Sequence, residues 1–154
     1  SCFEAMRREF AFSLNEKNIL FETSVDDNLP ELILGMSQYV QKVVANLTEN
    51  AIRFCGEGGR LRLHAELTED QNFVHIRVED NGPLLSRAAL DDIFQQSDSL
   101  HASLSNPLGD AGATLLVAHH LARVMGGRLS HTPTTDKGNM FHFFFPLLPT
   151  GSTE

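Results

Sequence analysis

Two stretches of strict alternation limit what this chain can fold into. Arg60 to Leu67 sets Leu61, Leu63, Ala65 and Leu67 on one side, and Phe73 to Glu79 sets Val74, Ile76 and Val78 together. Period-two patterning of this kind makes half-buried strands, so the two segments read as an antiparallel pair with one apolar face. That face needs a covering layer. Gln41 to Phe54 can supply it, because Val40, Val43, Val44, Leu47, Ala51 and Phe54 recur at helical spacing. At roughly 100° per residue, Asn46, Asn50 and Arg53 fall within about 60° of one another and about 100° from the centre of the apolar face. Two carboxamides and a guanidinium thus line the rim of a core-facing helix. That arrangement suits a metal–phosphate group, although a polar rim is also ordinary for an amphipathic helix.

The rest of the chain extends the same plan. Residues 3 to 16 suggest a short helix, and Ile19 to Val25 a first strand. Asp26-Asp27-Asn28-Leu29-Pro30 is a turn, after which Pro30 favours a helix start. Ser37 is a suitable cap for the asparagine-bearing helix, and Gly56-Glu57-Gly58-Gly59 ends it. Asp80-Asn81-Gly82-Pro83 breaks the second strand, Ala88 to Phe94 makes a short helix, and Gln95 to Asp110 is a polar, serine-rich connection. Loops of that length in a small domain are usually functional or mobile. Thr114 to Met125 returns to helix and stops at Gly126-Gly127. Arg128 to His131 and Met140 to Pro146 close the chain as strands, with Phe141, Phe143 and Phe145 on one face. This order predicts an α+β fold, a two-layer sandwich with helices on one face of a mixed, mostly antiparallel sheet.

Composition narrows the function. The 154 residues suffice for one domain with a real core. A formal net charge of −8 argues against a general nucleic-acid or anionic-membrane binder. Cys2 and Cys55 have neither metal-ligand spacing nor a disulfide framework, which fits a reducing compartment. No apolar run approaches the roughly 20 residues that span a bilayer. The adjacent His119 and His120 point about 100° apart on a helix and do not converge on one ion. The abrupt, helix-like start suggests a domain cut from a longer parent. The expected division is a leader helix or linker from a preceding dimerisation region at 1–18, the domain at 19–150 and a tail at 151–154.

Four segments stand in a telling order: Asn46-Leu47-Thr48-Glu49-Asn50-Ala51-Ile52-Arg53-Phe54, Val78-Glu79-Asp80-Asn81-Gly82-Pro83, Asp91-Asp92-Ile93-Phe94, and Gly109-Asp110-Ala111-Gly112-Ala113-Thr114-Leu115. Gly138-Asn139-Met140-Phe141 follows. Together they resemble the catalytic and ATP-binding domain of sensor histidine kinases, a branch of the Bergerat-fold ATPases, over roughly residues 19 to 148. The resemblance implies ATP and magnesium as ligands. It gives Asn50 the coordination of the magnesium on the ATP phosphates and puts Asn46 near those phosphates. Arg53 stands where the family usually has lysine and would pair with phosphate oxygens. Phe54 lies beside base and sugar, Asp80 accepts from the adenine amine, and Gly82 lets the backbone approach the purine. Residues 95 to 111 match the flexible lid, with Gly112, Ala113, Thr114 and Leu115 continuing the same segment.

The departures from the family all bear on the nucleotide. Leu84 holds a glycine position of the first glycine motif. Asp110, Gly112 and Thr114 hold the three glycine positions of the second. Met140 replaces a threonine hydrogen-bonded near the adenine aspartate. Leu84 and Thr114 would remove positive-φ freedom from a lid that must bend. Asp110 could set a negative charge against the triphosphate, worth roughly 3 kcal/mol at about 5 Å and an effective dielectric of about 20. Two readings follow. One is a kinase domain that binds Mg-ATP and donates the γ-phosphate to a histidine on a separate dimerisation helix. The other is a degenerate domain with weak or no ATP binding, acting as an interaction module in a phosphorelay. The implied partners are the parent's phosphoacceptor helices and a response regulator, without nucleic acid or direct membrane contact. The isolated domain would be a cytoplasmic monomer, whether or not the parent is membrane-bound.

Overall fold

The structure is a computed structural model and describes residues 2–29, 37–96 and 110–147. Among them, in chain order, are α1 (Cys2–Glu9), α2 (Ala11–Glu16), β1 (Leu20–Val25), α3 (Gln38–Phe54), β2 (Arg60–Leu67), β3 (Phe73–Asp80), α4 (Arg87–Gln96), α5 (Asp110–Val124), β4 (Arg128–Pro133) and β5 (Asn139–Pro146). The five strands form one sheet in the order β1-β2-β3-β5-β4. β1 runs parallel to β2, and the other three pairings are antiparallel. The mixed, mostly antiparallel sheet expected from the sequence is therefore present.

Alternation decides which face is covered. Leu61, Leu63, Ala65, Val74, Ile76, Val78, Phe141, Phe143 and Phe145 all point inward and are buried. α3 lies against them with Val40, Val43, Val44 and Leu47 fully buried, and α5 adds Leu115, Ala118 and Ala122. Cys2, Phe3 and Met6 of α1 join the same core. The opposite face is polar yet ordered. Ser24 Oγ meets His64 Nδ1 at 2.6 Å, and His64 Nε2 meets Glu66 at 3.1 Å. His75 Nδ1 lies 3.6 Å from Glu66, His75 Nε2 is 2.9 Å from His142 Nδ1, and His142 Nε2 is 2.8 Å from Thr132 Oγ1. This string touches every strand of the sheet.

Several boundaries differ from the sequence reading. The first helical stretch is two helices, α1 and α2, with Phe10 between them. Ser37 caps α3 as expected, accepting from the backbone N–H groups of Tyr39 and Val40. α5 begins at Asp110 rather than Thr114. Ala111 and Leu115 are four apart and both buried, so the apolar period starts earlier than the serine-rich stretch suggested. At the far end, Gly126 takes a left-handed φ of 81°, the usual way to end a helix. The helix start after Pro30, most of the lid (residues 97 to 109) and the tail lie outside the described residues.

Candidate functional site

The site is built along one flank of α3. The helix buries Val43, Val44 and Leu47 on the sheet, which draws the neighbouring rim partly inside. Asn46 is buried, and its Nδ2 donates to the carbonyl oxygen of Thr114 at 3.2 Å, tying α3 to α5. One turn on, Asn50 has no exposed surface. Neither its Oδ1 nor its Nδ2 has a hydrogen-bond partner among the described residues. Buried polar groups are nearly always paired, so an orphaned carboxamide on this flank points to a missing ligand. Thr48 Oγ1 is also unpartnered, but it projects roughly 160° around the helix from Asn50 and belongs to a different flank.

The C-terminal end of α3 meets the turn after β3. Gly82 packs so closely that an added Cβ would overlap the carbonyl oxygen of Phe54 and come 3.1 Å from Asp80 Oδ1. Its φ is not left-handed, so glycine is required here by close approach to α3 rather than by conformation. Cys55 and the backbone N–H of Arg60 both reach Asn81 Oδ1, which fixes the turn. Asp80 is buried within it. Its Oδ1 accepts from the Gly82 backbone N–H at 2.8 Å and from Asn139 Nδ2 at 3.2 Å. Burial raises the Asp80 pKa above the ordinary carboxylate value, and those two hydrogen bonds oppose the rise.

Not every expected residue faces this flank. Arg53 is half-exposed and paired with Glu49 at 3.1 Å, four residues earlier on the same helix. Phe54 is half-buried against the core. Leu84 is 46% exposed, and neither Leu84 nor Thr114 has a left-handed backbone. Thr114 lies inside α5. Gly112 is buried, Ala113 is exposed, and Leu115 is part of the core.

Met140 needs correcting. Asp80 stands opposite Asn139 in the β3–β5 register, and Met140 stands opposite Glu79. The inward-facing positions of β5 are 139, 141, 143 and 145, so Met140 turns to the other face. Asn139, fully buried, is the residue that hydrogen-bonds Asp80. Met140 is one residue off the inward parity, and a shift of one residue exchanges the two faces of a strand. The phenylalanines that mark the inward parity were the signal for Asn139. His131, whose Nε2 lies 2.8 Å from Asn139 Oδ1, carried no comparable signal.

The model of the "Histidine kinase-, DNA gyrase B-, and HSP90-like ATPase" family matches residues 35–149, about three quarters of the chain. The chain belongs to this family. Sensor protein TorS of Escherichia coli is 33% identical over 129 residues, covering 84% of this chain and 13% of TorS. The chain thus spans only about an eighth of that curated relative. Among solved structures, the nucleotide-free catalytic domain of histidine kinase ThkA superposes with a TM-score of 0.72 at 20% identity, over 96% of this chain and 92% of that one. Full-length ShkA in complex with AMPPNP gives 0.74 at 22% identity, over 94% and 29%. ThkA in complex with the response regulator TrrA gives 0.71 at 19% identity, over 98% and 41%. These structures share the fold. The resemblance to histidine kinase catalytic domains read from the sequence is borne out.

Proposed function

We propose that the chain is the nucleotide-binding catalytic domain of a sensor histidine kinase, binding Mg-ATP and presenting the γ-phosphate to a histidine on a separate dimerisation helix. The observation that carries this reading is Asn50, a fully buried carboxamide with both polar atoms unpartnered among the described residues. A hard cation takes oxygen ligands, and Asn50 Oδ1 is an oxygen without a donor. Magnesium held there would supply charge neutralisation on the phosphates. Asn46 would lie at the phosphate end. Buried Asp80, which already accepts two hydrogen bonds on Oδ1, would use Oδ2 to accept from an exocyclic amine of the base. Arg53 would reach phosphate only by leaving Glu49, a half-exposed pair worth at most about 1 kcal/mol.

The alternative is a degenerate interaction module, resting on the side chains of Leu84 and Thr114 at glycine positions and on the charge of Asp110. Leu84 and Thr114 have ordinary backbone conformations, so neither strains the described structure. The nucleotide-bound ShkA supports the ligand class, and the ThkA complex supports a response regulator as partner. None of the described helices is long and apolar enough to cross a membrane. We place the domain on the cytoplasmic side, where ATP is abundant. Calorimetric titration with ADP and AMPPNP, with and without magnesium, tests the reading. Micromolar, magnesium-dependent binding is the expected result, and a folded domain that binds nothing at millimolar nucleotide refutes it.

A further inference from the structure

Asn139 is a saturated node. Its Oδ1 accepts from the backbone N–H of Leu85 at 2.9 Å, and its Nδ2 donates to the carbonyl oxygen of Pro83 at 2.8 Å. Both partners are backbone groups with fixed roles, so they settle which end of the carboxamide is oxygen. Two capacities remain. The second N–H goes to Asp80 Oδ1 at 3.2 Å, and the second lone pair of Oδ1 faces His131 Nε2 at 2.8 Å. An acceptor oxygen requires a donor, so His131 carries its proton on Nε2. The ring is buried, meets Phe141 edge-on at 4.9 Å, and has no partner on Nδ1 among the described residues. Arg87 donates to the His131 carbonyl at 2.9 Å, which pins the strand from the α4 side.

We propose that His131 is a positioning residue for base recognition: through Asn139 it holds the Asp80 carboxylate where an adenine-type base, with an exocyclic amine, is selected. The inference rests on the nucleotide reading above and adds a residue to it. The node joins β4, β5, the end of β3 and the segment leading into α4, so the position of Asp80 is set by four segments together. Protonation would place a hydrogen on the buried Nδ1, which has no acceptor among the described residues. Burial first, and Arg87 as well, hold the His131 pKa below its ordinary value, so the ring stays a neutral Nε2 donor at neutral pH.

The test uses the 154-residue chain, with His131→Leu removing the donor and His131→Gln supplying another. Affinities for ADP and for IDP, which lacks the amine, are measured by calorimetry at neutral pH. In nucleotide-free protein, the Asp80 carboxyl is titrated by NMR. His131→Leu should weaken ADP by about fivefold to tenfold and leave IDP within about twofold, a loss of the size expected for one charge-linked hydrogen bond. The Asp80 titration should move upward. His131→Gln should recover most of both effects. A folded His131→Leu with wild-type ADP-to-IDP preference and an unmoved Asp80 titration overturns the proposal. So does NMR of the wild-type ring that finds the proton on Nδ1, a result that requires no variant. A wild type that binds neither nucleotide overturns the nucleotide reading instead, and the Asp80 titration then decides the anchor alone.

Discussion

Replacing Asn50 with leucine should make the free domain more stable while abolishing its magnesium-dependent ligand binding. Leucine has the same branched heavy-atom skeleton as asparagine, with two bulkier methyl groups and no polar atoms. In the free domain both amide atoms of Asn50 are buried and unpartnered among the described residues. An unsatisfied buried polar group costs about 1–3 kcal/mol in mutational data. Removing it, against some repacking strain, should yield a gain of about 1–2 kcal/mol. For a domain of this size that is a rise in Tm of roughly 2–8 °C. With ligand the order should reverse. Nucleotide and magnesium at about 100 times Kd stabilise the wild type by about 2.7 kcal/mol and leave the variant where it was. Thermal unfolding of both proteins, each with and without Mg-ADP, checks the crossover. A variant destabilised by more than about 1 kcal/mol without ligand would show that the amide has partners in the free domain, and would refute the reasoning.

Two further outcomes follow from the packing. Gly82→Ala must push the β3 turn off the Phe54 carbonyl, because the overlap is with backbone and not with a movable side chain; urea unfolding should show a loss of about 1–3 kcal/mol, and a loss under about 0.5 kcal/mol would mean the turn adapts freely. On the outer face, burial first, then His142 and Arg77, push the His75 pKa down to about 4 against the pull of Glu66. The unfolded chain therefore takes up this proton first as pH falls below about 6.5. Stability should be flat in this term above about 6.5 and decline towards pH 4 by at most about 1.4 kcal/mol per unit. His75→Phe, placed against Phe144, should flatten the urea midpoint over that window, and an unchanged slope would count against the assignment.

Much of this arrangement was legible because alternation and helical period are local signals. The inward sets of β2, β3 and β5 and the buried face of α3 are where their patterns put them. Asn46 and Asn50 were visible by their spacing on a core-facing helix. Their difference was not, because it depends on tertiary neighbours: Asn46 finds the Thr114 carbonyl, whereas Asn50 finds no partner among the described residues. The Glu49–Arg53 spacing of four announces an ion pair on any helix, yet the functional reading of Arg53 overlooked it. His131 and Asn139 meet only because β4 and β5 pair in one register, with His131 opposite Phe141 and Pro133 opposite Asn139. Strand register across a turn is not encoded in either strand alone.

Two buried polar side chains, Asp80 and Asn50, stand at the two ends of the proposed site. At the base end, Asn139 lies in the carboxamide node that places Asp80, and every polar capacity of its side chain is used. A site drifting out of use has no reason to keep a buried aspartate, since burial raises its pKa and the hydrogen bonds only partly offset this. At the proposed phosphate end, Asn50 is buried without a partner among the described residues, a cost that a bound ligand would remove. Both features burden the free domain, and a ligand with an amine at one end and a metal–phosphate group at the other would relieve both. That shared direction favours a working nucleotide site over a relic.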